Sequence, residues 1–379
     1  MRHIIYFIKN ETVLSISAAL AIVSSFFVTP DAQYIGYIDF RTIALLFCLM
    51  AVVAGLQKTV VFNLLAENLL KRIHSVKGLT FILVMLCFFF SMFITNDVAL
   101  IAFVPFTFTV LDILGSDVKR ENIIFIVVMQ TVAANLGSML TPIGNPQNLY
   151  LHGISGLGIG EFVMIMLPYT VVSFVLLTVC PILRKGESNI NIKFSEKERI
   201  CGKGKTAVYT AMFTLCLLTV ARLIDYRITL AVVIVLTAIT DHKVFAKVDY
   251  TLLITFIAFF IFIGNMGRIP VFNNYIKSVI DGRECMTGIL SSQLISNVPA
   301  ALLLSGFTNN LKPLIVGVNL GGLGTLIASM ASLISFKFIG RENKSLRGKY
   351  LLYFTVVNVI FLAVLMGLYE VIKWVLLFD

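Results

Sequence analysis

Read along the chain, apolar residues come in blocks separated by short polar loops. The blocks cover 12–28, 42–70, 78–114, 122–151, 161–183, 207–223, 228–240, 250–267, 286–307, 313–338 and 350–377. Most of them approach the ~20 residues that an α-helix needs to cross a bilayer. The block 228–240 is short for a full span. Two blocks carry an internal polar point, Thr95-Asn96-Asp97 in 78–114 and Ser296-Asn297 in 286–307, so each is expected to fold as a helical hairpin. Two others, 122–151 and 313–338, are interrupted. The first holds Thr141-Pro142-Ile143-Gly144-Asn145-Pro146-Gln147-Asn148, and the second Gly321-Gly322-Leu323-Gly324-Thr325. Lipid cannot satisfy broken backbone, so such breaks survive only where they line a cavity or bind something.

The hairpin and the broken helix occur twice, in the same order. Asp39-Phe40 recurs as Asp249-Tyr250, Val61-Phe62-Asn63 as Val271-Phe272-Asn273, Ile94-Thr95-Asn96 as Ile295-Ser296-Asn297, and Thr141 as Thr325. The expected organisation is an N-terminal half, 1–183, a linker, 184–205, and a C-terminal half, 206–379. An odd number of crossings between Asp39 and Asp249 makes the two repeats inverted. Paired breaks in matching halves point to the binding site of a secondary transporter.

Composition narrows the class. The chain is 58% hydrophobic and 13% charged, against about 25% charged residues in soluble domains. This is an all-α polytopic membrane protein. The net charge of +10 is carried by Lys and Arg in short loops, as the positive-inside rule expects, so nucleic acid is not an expected partner. The same rule puts the N-terminus, Lys71, Arg72 and the 184–205 loop in the cytoplasm and the C-terminus outside. The first hairpin then opens to the cytoplasmic side and the second to the outer side. Arg2 and Lys9 precede the first block without a small-x-small cleavage site after it, so it reads as a retained helix of a multi-pass cell-membrane protein. The six cysteines form no CxxC pair and read as small core residues. The scattered His3, His74, His152 and His242 read as loop or interface residues.

The chemistry gathers at the tips and breaks. A helix ending at Thr95 exposes carbonyls and one starting there exposes N–H groups, which favour a cation and an anion respectively. Asp97 stands in an apolar run, where a carboxylate is costly and usually functional. It either carries the coupling ion or caps the second arm, and Val298 in the second copy cannot ionise. Freed carbonyls at the first break, with Thr141, Asn145 and Asn148, can ligate a cation; Thr325, Ser329 and Ser332 supply hydroxyls at the second. Lys58 and Arg268, at equivalent helix ends, either attract an anion or snorkel to the interface.

On the Asn96-Asp97 tip and the Thr141–Asn148 motif, the chain resembles the ion transporter superfamily over about residues 39–349. That group includes arsenite permeases, citrate and dicarboxylate transporters and sodium/proton antiporters. The resemblance implies two re-entrant hairpins meeting two unwound helices near the bilayer midplane, with substrate between the tips and cation sites beside them. It also implies homodimers moving substrate by an elevator-like shift. Dicarboxylate members carry Ser-Asn-Thr at both tips; here the third position is Asp97 or Val298. The expected substrate-binding residues are Thr95, Asn96, Asp97, Ser296, Asn297, Val298, Asn145, Pro146 and Ser329. The expected cation-coupling residues are Asp97, Thr141, Gly144, Asn145, Asn148, Thr325 and Ser329. No cofactor is expected, with Na+ or H+ as the coupling ion. The expected function is secondary transport of a small carboxylate or an inorganic oxyanion such as arsenite. The alternatives are a sodium/proton antiporter and, from another class, a membrane enzyme acting on lipid. The lack of a paired base and nucleophile argues against the last.

Overall fold

A computed structural model describes residues 11–59, 73, 75–183 and 203–375. The chain opens with α1 (Thr12–Phe27), the short α2 (Gln33–Tyr37) and α3 (Phe40–Gln57). Next, α4 (Val76–Ile94) and α5 (Asn96–Leu114) meet at Thr95. A break separates α6 (Ser116–Ser138) from α7 (Pro146–Ser155), and α8 (Ile159–Leu183) follows. After the linker come α9 (Lys203–Val220), α10 (Tyr226–Asp241), α11 (Tyr250–Gly267) and α12 (Pro270–Ile280). α13 (Glu284–Ile295) and α14 (Asn297–Ser305) meet at Ser296. A second break parts α15 (Leu311–Leu320) from α16 (Met330–Glu342), before the final α17 (Arg347–Val375). Among the described residues, seven helices are long and apolar enough to cross a membrane. The chain is a polytopic α-helical membrane protein.

Most blocks become helices within a few residues of their expected ends. The short block 228–240 is the middle of a longer run: α10 continues into a 3-10 turn, His242–Lys247, and the span Tyr226–Lys247 has 22 residues. The block 42–70 is helical as far as Gln57, and 60–70 lies outside the described residues. α12 is an additional helix, opened by Pro270 at a position where proline's missing N–H costs nothing. Cys48, Cys87, Cys216 and Cys285 are buried free thiols, as core residues should be.

Two helix groups emerge from the packing. In one, α3 packs on α9 and α10, and α1 packs on α11. In the other, α4 and α5 pack on α6, α13 on α15, α16 on α5 and α6, and α17 on α6 and α8. Within the first group the sequence halves are interleaved, because α3 lies against α10 and α1 against α11. An ion pair reinforces each contact: Lys58 to Asp241 at 2.9 Å and Arg268 to Asp31 at 2.8 Å. The hydrogen bond from Arg268 holds the Asp31 carboxyl below the usual carboxylate range. Both of the cations considered as anion attractors therefore have partners inside the fold. The two groups touch where α3 meets α7 and α11 meets α14. Arg222, at a positive φ of 64°, adds a polar tie between them by donating to the carbonyls of His152 and Gly153 at the end of α7.

Glycine is required where the hairpin arms cross the broken helices. A Cβ on Gly137 would overlap the Phe88 carbonyl and lie 2.6 Å from Ser91 Oγ. One on Gly321 would lie 2.6 Å from Ser292 Oγ. Gly137→Ala is expected to push α4 off α6 and cost about 1–3 kcal/mol, the usual range for overpacking. A fall in thermal midpoint of the detergent-purified protein, with Gly367→Ala unchanged, is the check; nothing lies within 4 Å of a Cβ at Gly367.

Candidate substrate and ion site

The joints of the two hairpins have the same backbone. Thr95 sits at φ 70°, ψ 152° and Ser296 at φ 74°, ψ 154°. A positive φ on a non-glycine residue costs about 1–3 kcal/mol and marks sites that the surroundings hold in place. In each hairpin the second arm closes its first turn back on this residue, Ala99 N to Thr95 O at 3.1 Å and Ala300 N to Ser296 O at 3.0 Å. The arms differ in length. α4 and α5 have 19 residues each, whereas α13 and α14 have 12 and 9. At ~1.5 Å per residue the latter two are too short to cross ~30 Å of hydrocarbon.

The breaks match each other as well. Asn145 and Ser329 are both extended and both precede the second half-helix, α7 or α16. Thr141 Oγ1 donates to the Met92 carbonyl, and Thr325 Oγ1 donates to the Gln293 carbonyl at 3.2 Å. Each threonine thus fastens its break to the preceding hairpin arm. The second break lacks proline yet is complete: Gly324 turns the chain at φ 106° and a 3-10 turn, Leu326–Ala328, follows.

Tips and breaks converge on one buried hub, Asn135 of α6. Its Oδ1 accepts from Asn96 Nδ2 of the first tip and from Ser329 Oγ of the second break, both at 2.9 Å. Its Nδ2 faces the Gly322 carbonyl and Ser332 Oγ, each at 3.4 Å. Asn297 of the second tip lies over Gly322, with Nδ2 3.0 Å from where a Cβ would be. The repeat equivalent of Asn135 is Asn319, which donates to Asn148 Oδ1 at 2.7 Å.

A cavity of about 520 Å³ reaches this region from the end of the bundle that carries Lys58 and Lys247. Thr95, Asp97, Asn145 and Pro146 line it from one helix group, and Lys58, Lys247 and Asp249 from the other. Ser296, Asn297, Val298 and Ser329 are buried and outside its lining. Asp97 is half-buried in the first turn of α5, where the N-cap position belongs to Thr95. Of the remaining expected ion ligands, Thr141 and Asn148 brace the break itself. Asn148 Nδ2 donates to the carbonyls of Ser138, Met139 and Thr141 at 3.3–3.5 Å. The Gly144 carbonyl accepts from Asn96 N at 3.3 Å, and Asn145 Nδ2 donates to Ser138 Oγ at 2.6 Å. Thr325 is exposed.

Several residues of this network lie outside the candidate set. Asn135 and Asn319 recur at matched positions, a signal the sequence did contain. Gln293 holds the second break by donating to the carbonyls of Gly321 and Leu323, both at 2.9 Å, and accepting from Thr325 N. Glu284 is a buried carboxylate at the base of the second hairpin, accepting from Thr308 Oγ1 at 3.2 Å. His152, expected in a loop or interface, is buried edge-on against Phe162.

Paired broken helices meeting paired tips, inside a bundle of membrane-spanning helices, define a membrane transporter. Sequence comparison specifies which kind. The citrate transporter family matches residues 4–313. An uncharacterized transporter of Methanocaldococcus jannaschii is 34% identical over 89% of this chain and 91% of its own length. The inner membrane protein YbiR of Escherichia coli is 31% identical over 83% and 84%. A 46 kDa membrane protein of Mycobacterium leprae is 21% identical over 86% and 85%. The chain belongs to the citrate transporter family, a family of transporters and not of enzymes.

Proposed function

We propose that this protein is a secondary active transporter of a small oxyanion, a carboxylate or an inorganic species such as arsenite, coupled to Na+ or H+. The observation that carries this reading is the shared hub, where Asn135 ties the first tip to the second break beside a cavity lined by Thr95, Asp97 and Asn145. The positive dipole ends of α5 and α7 favour an anion, and Asp97 offers a charge to a cation. Alternating access is supported by the two helix groups, which enclose the cavity between them. In this reading the hairpins are re-entrant, the repeats are inverted and the protein works as a homodimer in the cell membrane.

Uptake into proteoliposomes tests it, with citrate, succinate, phosphate and arsenite offered under Na+ or H+ gradients imposed separately. Gradient-driven accumulation of one of these solutes is the expected result. Na+ efflux driven by a proton gradient, with no solute moved, would instead establish the sodium/proton antiporter. The orientation has its own check. Loop charge places the 184–205 linker in the cytoplasm and the C-terminus outside. A single cysteine replacing Ser195 is expected to resist an impermeant thiol reagent in intact cells and to react after permeabilisation. Reaction in intact cells would reverse the assignment.

A further inference from the structure

α17 forms a furrow with the two helices it packs on, α6 and α8. The furrow has a volume of about 560 Å³, and a second hollow of about 430 Å³ shares Ile124 and Tyr353 with it. Along α17 the pair runs from Lys349 through Tyr353 and Val357 to Phe361. These positions are four apart and so share one helix face. Ile124 and Met129 of α6 and Cys180 and Leu183 of α8 form the opposite wall. The Phe125 ring lies 6.2 Å from that of Tyr353. None of these residues lines the cavity between the helix groups.

Length, polarity and charge each bear on what fills the furrow. The 12 residues from Lys349 to Phe361 rise about 18 Å at ~1.5 Å each. One leaflet contributes about half of the ~30 Å of hydrocarbon, so the furrow is as long as one leaflet is thick. Its polar end lies where all three helices end: Ile124 is near the start of α6, Leu183 closes α8 and Lys349 is in the first turn of α17. Lys349 is exposed there, and no carboxylate pairs with it among the described residues. It closes a basic stretch, Lys337, Arg341, Lys344, Arg347 and Lys349, in which Glu342 is the single acid. The N-terminus of α17 adds its positive dipole end. The chain that continues from Leu183, Arg184-Lys185-Gly186-Glu187-Ser188-Asn189, is too polar to fill an apolar furrow.

In a bilayer any apolar furrow takes up hydrocarbon, and a cation at its mouth selects among lipids by headgroup charge. We propose that this furrow is a binding site for an anionic phospholipid, with one acyl chain laid along α17 between α6 and α8 and the phosphate at Lys349. Loop charge puts this end in the cytoplasmic leaflet, where anionic lipids are enriched. The site is independent of which solute is moved.

The experiment is thermal unfolding of the detergent-purified full chain with phosphatidylglycerol, with phosphatidylcholine of the same chains, and with glycerol 3-phosphate. A ligand that binds the folded state raises the midpoint. Phosphatidylglycerol is expected to raise it by several degrees at concentrations where the other two do nothing. Ile360→Trp fills the furrow from an exposed position on α17. It is expected to abolish the shift while leaving the midpoint without lipid near the parent's. Lys349→Gln is expected to raise the half-maximal lipid concentration about fivefold, the worth of one lysine beside an anionic surface. Arg347 is kept, because it donates to the Gly340 carbonyl. An equal shift from phosphatidylcholine overturns the proposal, as does a shift from glycerol 3-phosphate alone or a phosphatidylglycerol shift unchanged in both variants. Disulfide-linked dimers of Ile360→Cys in native membranes would make this face an interface between copies, and would overturn it too.

Discussion

Asn96→Ala is expected to abolish uptake, at least about a hundredfold, in protein that still inserts and folds. The Asn96 amide works at both ends. Nδ2 donates to Asn135 at 2.9 Å, and Oδ1 accepts from Asp97 N at 2.9 Å. Alanine removes the tip's hold on the Asp97 N–H at the start of α5 and leaves Ser329 as the remaining donor to Asn135 Oδ1. The direct cost is about 1–2 kcal/mol for a buried hydrogen bond, which a membrane bundle of this size survives. The functional cost is larger because the tip also sets Thr95 and Asp97 in the cavity wall, and a misplacement near 1 Å is worth about a hundredfold. Asn297→Ala is expected to lose uptake as well, but with a smaller drop in thermal midpoint, because among the described residues the Asn297 side chain has a single 3.5 Å hydrogen-bond contact, from Ser296 Oγ. Uptake measured at matched membrane content, alongside thermal unfolding, separates the two effects. Near-normal uptake in both variants would take the tips out of the mechanism.

What was legible in the sequence follows from what leaves a local trace. α11 was read at its true ends, because Asp249 caps it by accepting from Leu252 N and Gly267 closes it. α12 was not, because its 11 residues mix Asn273, Asn274 and Lys277 with apolar positions and match neither a span nor a strand. The equivalence of Thr95 with Ser296 and of Thr141 with Thr325 was visible as a pattern; that each pair shares backbone angles or contacts was not. Gln293 escapes a linear reading, since a single amide in an apolar helix is silent until its partners, here Gly321, Leu323 and Thr325, are folded against it. The ion pairs of Lys58 and Arg268 are silent for the same reason. Each crosses from one half of the chain to the other.

Asp97→Asn is expected to uncouple transport from the ion gradient, leaving solute exchange without accumulation. Asp97 lines the cavity opposite Lys247 and Asp249, on the helix group that carries the tips. The alternative role is to serve the helix start. The N-cap position is held by Thr95, so that role reduces to the interaction of a first-turn carboxylate with the helix dipole. Such an interaction is worth about 0.3–1 kcal/mol, too little for its loss to disturb the fold or to stop turnover. Asn keeps the shape and one acceptor while removing the charge, so any loss of ion dependence belongs to the carboxylate's chemistry. The measurement is concentrative uptake and counterflow in the same vesicles, under Na+ and H+ gradients applied one at a time. Counterflow should persist, and accumulation should collapse to equilibrium under whichever gradient drives the parent protein. An Asn variant that still concentrates solute with the parent's ion dependence would reduce Asp97 to a first-turn charge. The coupling ion would then have to bind at the carbonyls around Gly144 and Asn145.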